Sequence, residues 1–286
     1  MKKVLYIIGN GFDLAHNMKT GYGDFKSFCE KQPKLYQELQ RFYGDILHRE
    51  GIKWWYQFEN NLGKLDYEYI MKSDKTILAS SNLLTFLTNH IRIPFAEWLK
   101  LITIPNVRRF NLEAGALFFT FNYTSVLEDL YHVRPADVFH VHGHLKNPVE
   151  ADNLIIGHNF SERELFEDFI SRYPNRTALN MDIVEQLYVS AAKGGKNVNG
   201  IINRNEEYFN NLLTINTIIC IGFSFNDFDM PYLKRIFESN ADQTKLQWQV
   251  YYYDRSDEMR FQNQLQAIGV DKCNIITRDI RSIYAE

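Results

Sequence analysis

Residues 4–13, Val4-Leu5-Tyr6-Ile7-Ile8-Gly9-Asn10-Gly11-Phe12-Asp13, decide how this chain is read. Five apolar residues, most of them β-branched or aromatic, run directly into Gly-Asn-Gly. A strand with no polar alternation is covered on both faces, as strands of a parallel sheet are. Glycines at its end allow backbone to approach a phosphate, and a helix starting there would offer N–H donors. The same residues also suit a plain strand-to-helix turn capped by Asp13. The dinucleotide fingerprint GxGxxG is incomplete, because Leu14 stands at the third glycine position and no acidic residue ends a second strand about twenty positions on.

Further along, the pattern recurs. Apolar runs at Leu117–Phe121, Val138–Val141, Leu154–Ile156, Thr217–Ile221, Gln247–Tyr253 and, more weakly, Asn274–Thr277 read as strands. Several end in small or polar clusters: FNYT, HGH, GHN, GFSFND and YDRSD. In an open parallel sheet the ligand lies beyond the carboxyl ends of the strands, so these clusters gather where a ligand would sit. The expected fold class is α/β, a Rossmann-like open parallel sheet with helical insertions.

Between the first two strands the spacing becomes helical. Phe25, Phe28, Cys29, Tyr36, Leu39 and Phe42 recur at three and four, as do Leu83, Leu84, Leu87, Ile91, Phe95, Trp98 and Leu99. Residues 24–112 are therefore expected to be a helical insertion into a core built from 1–23 and 113–286. Residues 161–214 read as a second helical stretch, with AAKGGKNVNG (191–200) as a mobile loop over the site.

Composition narrows the function classes. A hydrophobic share of 45% and a charged share of 23% are those of a globular protein. A net charge of −3 argues against a chain that tracks a phosphate backbone. The three cysteines, Cys29, Cys220 and Cys273, form no CxxC pair, so neither a zinc ribbon nor a disulfide framework is supported. The opening apolar run is too short for a signal peptide, and no segment reaches the ~18 apolar residues of a membrane helix. A cytoplasmic protein with no membrane partner is expected, compatible with a homo-oligomer.

Three constellations carry the chemistry. Asn122, at the end of FTFN, offers an amide and a carbonyl able to hold a ribose hydroxyl or a water, although asparagine is also a common turn former. In VFHVHGHL (138–145), strand alternation places Val138, His140 and His142 on one side. Imidazole suits proton transfer near neutral pH and also binds metals, but no nearby Asp or Cys completes a metal motif, so His142 is read as a base and no metal is expected. In GFSFND (222–227), Ser224 resembles a hydrolase nucleophile, yet Asn226 replaces the second glycine and all eight histidines lie at or before His158. Ser224 is read instead as a hydrogen-bonding residue near phosphate or ribose, with Asp227 and Asp229 able to cap the helix that follows.

Taken in order, IIGNGFDLAH with Thr20, Tyr22 and Phe25, then WWYQFE, FTFNYT, HVHGHL, IIGHN and GFSFNDFDMPY, the chain resembles the bacteriophage abortive infection AbiH family over most of its length. That family is similar in turn to the sirtuin-like group of NAD-handling Rossmann folds. The resemblance implies that Gly9, Asn10 and Gly11 take the phosphate-loop role, that Asn122 matches a TxN asparagine, and that His142 matches the histidine of a histidine–glycine pair. Gly222 and Ser224 match a late loop lining the dinucleotide, although Phe223 departs from the GHS form common in the family. Asp13, Glu59, Asp229 and Tyr232 also fall on family motifs. The implied nucleotide-contacting set is Gly9, Asn10, Gly11, Asp13, Gly222, Ser224 and Asp229, and the implied catalytic pair is Asn122 and His142. Without four ribbon cysteines a protein deacylase is disfavoured. What remains is metal-independent cleavage of the nicotinamide–ribose bond of NAD. Its rivals are sensing of a nucleotide without cleavage, and a metal-dependent hydrolase or nuclease using His140, His142 and His144.

Overall fold

The computed structural model describes residues 3–44, 46–73, 86–145, 154–175 and 179–284. The chain divides into two compact units. One comprises Met1–Thr20, Ile102–Ala151 and Asn197–Glu286; the other comprises Gly21–Leu101 and Asp152–Lys196.

The first unit is built on six strands: β1 (Val4–Ile8), β2 (Leu117–Thr120), β3 (Val138–His140), β4 (Thr217–Ile221), β5 (Gln247–Tyr252) and β6 (Ile275–Asp279). Every pairing is parallel, and the order across the sheet is β3-β2-β1-β4-β5-β6. This is the doubly wound Rossmann order, whose direction of winding reverses between β1 and β4. All five residues of β1 are buried, as its unbroken apolar character demands for a central strand. The register sets one level across the sheet, His140–Thr120–Ile8–Ile221–Tyr251. The residues just beyond that level form the carboxyl edge.

One expected strand is absent. Leu154–Ile156 has no strand pairing; it belongs to the second unit, with Leu154 buried as an apolar anchor.

The described residues of the second unit are built from helices. Helices Tyr22–Glu30 and Pro33–Tyr43 bury Phe25, Cys29, Leu39 and Phe42, and a π-helical turn Leu87–Arg92 leads into Ile93–Lys100. Leu83 and Leu84 lie outside the described residues. Phe25 is the hub of an aromatic cluster with Trp55, Phe58, Phe95 and Trp98, at centroid distances of 5.2–6.0 Å. The AAKGGKNVNG stretch forms the end of helix Met181–Lys193, a short turn, and the start of helix Val198–Arg204. Among the described residues no helix is long and apolar enough to cross a membrane.

Candidate functional site

At the point where the strand order reverses, the loops after β1 and β4 meet backbone to backbone. Gly9 N–H donates to Ile221 O at 3.1 Å, and Gly11 N–H to Gly222 O at 2.9 Å. A Cβ on Gly9 would lie 2.5 Å from Gly222 O, and one on Gly11 would lie 2.7 Å from Gly222 Cα. Gly222 itself has φ +65° and its Cβ would stand 2.2 Å from Phe12 N. The three glycines therefore serve close approach between two loops, and the N–H groups of Gly9 and Gly11 are already engaged. Asn10 is exposed, with its amide donating to Thr20 O at 3.0 Å.

Asp13 lies in the following helix, Asn10–Ala15, and is 1% exposed. Its Oδ2 accepts from Thr124 Oγ1 at 2.7 Å, and its Oδ1 is buried with no hydrogen-bond partner among the described residues. Burial pushes its pKa from 3.8 up to about 6, against the hydrogen bond from Thr124 and the nearby polar amide of Asn122. Asn122, at the end of β2, donates its amide to Gly9 O at 3.1 Å, and its Oδ1 is likewise buried without a partner. Two neighbouring acceptors, from the loops after β1 and β2, thus lack donors.

The histidines after β3 separate. β3 stops at His140, where Gly143 N–H closes a turn onto His140 O at 3.1 Å and Gly143 takes φ +78°. Alternation ends there, so His142 does not stand beside His140. It is 3% exposed and lies among Phe121, Tyr123 and Tyr232, at ring distances of 5.6, 6.2 and 6.0 Å. His144 turns back over His140, with ring centroids 4.2 Å apart. The Nδ1 of His140 is 3.1 Å from the main-chain oxygen of Asn122, and its Nε2 is 2.9 Å from Glu128 Oε1. Glu128, 7% exposed, sits on the short helix Val126–Asp129 that follows β2. Burial works to raise its pKa, but the hydrogen bond and charge of His140 outweigh it and hold the carboxyl below the usual range.

Glu128 was not among the sequence candidates. The signal that could have found it is an acidic residue within the apolar run Val126, Leu127 and Leu130, a few residues beyond the Asn122 that follows a strand. Ser224 is exposed on the β4 loop, where its carbonyl accepts from Arg260 Nη1 at 2.7 Å. Asp227 accepts from Gln264, while Asp229 precedes helix Met230–Glu238 without a side-chain cap bond to it.

A family model for bacteriophage abortive infection, AbiH, matches residues 5–252. The chain belongs to the AbiH family. A role in abortive infection by phage goes with that membership. No curated protein and no solved structure gives a significant match. The AbiH-like motifs divide between the two units. In the second unit, Tyr22 OH donates to Glu59 Oε1 at 2.6 Å, and Lys196 Nζ pairs with Glu59 Oε2 although both side chains are largely buried. There too, the His158 ring is enclosed by Gly63 and Gly195, donates from Nε2 to Ala191 O at 3.0 Å and accepts at Nδ1 from Phe160 N–H at 3.1 Å. Burial lowers its pKa to about 4, so it is a neutral, fixed tautomer.

Proposed function

We propose that this AbiH-family chain arrests an infected cell by hydrolysing a nucleotide, NAD in the first instance, at the carboxyl edge of β1, β2 and β3. The observation that carries this reading is the pair of buried acceptors, Asp13 Oδ1 and Asn122 Oδ1, beside the crevice position of a sheet in Rossmann order. Buried polar atoms in native proteins are nearly always satisfied, so two adjacent orphans call for a ligand or water that brings donors. Ribose hydroxyls are donors of the right kind, and a carboxylate is the usual ribose partner in this fold. Both oxygens are closed to solvent, so substrate entry requires the β2 loop to open.

In the proposed reaction the nicotinamide–ribose bond breaks, nicotinamide leaves as the neutral base, and water adds to the ribose carbon. Positive charge develops on the ribose, which Asp13 stabilises electrostatically. Asn122 orients a ribose hydroxyl or the attacking water. His142 accepts the proton that the water loses. The aromatic rings of Phe121 and Tyr232 near His142, with Phe223 stacked on Phe121, suit a cationic nicotinamide face.

The test is nicotinamide release from NAD by the purified protein, alone and with extract from phage-infected cells. Release that falls by about 10²–10⁴-fold in His142→Ala supports the role of a general base. Full-rate release by that variant, or protection of cells against phage by a protein that never releases nicotinamide, overturns the proposal.

A further inference from the structure

The His140 imidazole raises a question of proton placement that the hydrolysis reading does not use. Its Nδ1 faces a main-chain carbonyl, that of Asn122, at 3.1 Å. A carbonyl only accepts, so Nδ1 carries the proton. In the neutral ring, Nε2 then presents a bare lone pair to Glu128 Oε1 at 2.9 Å. Two acceptors at that distance need a positive centre between them: an added proton or a cation.

Three further observations favour a cation that engages more than this one pair. The second oxygen of Glu128, Oε2, is buried without a hydrogen-bond partner among the described residues. The His144 ring lies over that of His140, where a second protonated imidazole would be repelled. One ligand atom each from Glu128, His140 and His144 lie within 4.8 Å of one another. A tetrahedral ion with bonds of about 2.0–2.2 Å holds its ligand atoms roughly 3.4 Å apart, between the 2.9 Å of the first pair and that outer limit. The main-chain oxygen of Asn122 on the remote nitrogen of His140 is the usual outer contact that fixes the tautomer of a metal-bound imidazole.

We infer that Glu128, His140 and His144 form a binding site for a divalent transition-metal ion of the zinc type, with a fourth coordination position open to water. Two imidazoles and one carboxylate are a ligand set found in catalytic zinc sites, and nitrogen ligands disfavour Mg²⁺ and Ca²⁺. The site goes beyond the proposed nucleotide hydrolysis and does not depend on it. It shares the Asn122 residue, whose backbone holds His140 and whose side chain holds Gly9.

The experiment uses the full chain, stripped with chelator and titrated with Zn²⁺ by calorimetry in the absence of any nucleotide. Co²⁺ is then loaded in place of zinc to read coordination from its visible absorption. The expected result is one ion per chain, tetrahedral Co²⁺ bands, and at least 100-fold weaker binding in both His144→Ala and Glu128→Gln. His144 is only half-buried, so its variant keeps the fold, which circular dichroism checks. Absence of zinc binding, wild-type affinity in either variant, or Mg²⁺ bound as tightly as Zn²⁺ overturns the site. Because no nucleotide is present, its failure leaves the hydrolysis reading untouched, and the reverse also holds.

Discussion

Replacing Asp13 by Asn should make this protein more stable at neutral pH, an unusual expectation for a buried residue with a hydrogen-bond partner. Asp13 is 1% exposed, and its burial raises the pKa from 3.8 to about 6 in spite of Thr124 and Asn122. The folded state therefore holds the Asp13 proton more tightly than the unfolded chain does. Below pH 3.8 both states are protonated and the residue costs nothing. As pH rises from 3.8 through 6, the unfolded chain releases its proton first and native stability falls. At about 1.36 kcal/mol per pH unit, the interval amounts to roughly 3 kcal/mol at pH 7. Asn is neutral at every pH, keeps the shape of the side chain and can still accept from Thr124. The assay is urea unfolding of wild type and Asp13→Asn between pH 3.5 and 7.5. The two should match at the acid end and separate to about 3 kcal/mol in favour of the variant by pH 7. A separation independent of pH, or a variant less stable than wild type at pH 7, refutes the reasoning. A carboxylate kept at such a cost marks a functional position, so the stabilised variant should also fail to protect cells from phage.

Other expectations follow from single contacts. His158 has the opposite sign: its pKa falls to about 4, so the stability it confers is complete above 6.5 and is lost as pH falls through 4, about 3 kcal/mol in all. His158→Gln should flatten that acid limb in pH-dependent unfolding, and an unchanged limb would count against it. Gly222→Ala places a Cβ 2.2 Å from Phe12 N at φ +65°, so it should cost more than about 3 kcal/mol and lower the Tm by roughly 6–12 °C, read by differential scanning calorimetry. A Tm within 2 °C of wild type would show that the two loops part without penalty.

How far the sequence could be read differs from element to element. β1 was legible because five apolar residues before a glycine admit few other structures, and the Rossmann class followed from the same pattern at β2, β4 and β5. Leu154–Ile156 shares that local character, but its place in the second unit depends on long-range packing that no three-residue window contains. The glycines of Gly-Asn-Gly were legible as glycines that something approaches closely. That Gly222, more than two hundred positions later, makes the approach is a property of the β1–β4 pairing. The three histidines were legible as a set with chemistry, but their division was not. Strand alternation grouped His140 with His142, while the turn at Gly143 groups His140 with His144. Glu128 was hidden for a related reason, since its distance from His140 in sequence is spanned by the β2–β3 crossover.

The order of the sheet also sets the schedule on which the protein can fold during synthesis. β1 is the most apolar strand of the sheet, and it leaves the ribosome well before either strand that it pairs with. Leu5 pairs with Leu117, which follows 112 positions later, and with Ile218, which comes after the last segment of the second unit. At about 5–20 residues per second, β1 waits roughly 6–22 s for its first partner and about twice as long for its second. Over that interval Val4–Ile8 is an unpaired hydrophobic strand of the nascent chain, the kind of segment that chaperones hold and that aggregates when they do not. The second unit, whose helices depend mainly on nearer neighbours, can form meanwhile. Production of this protein is thus exposed to chaperone supply at β1, well before any infection tests its activity.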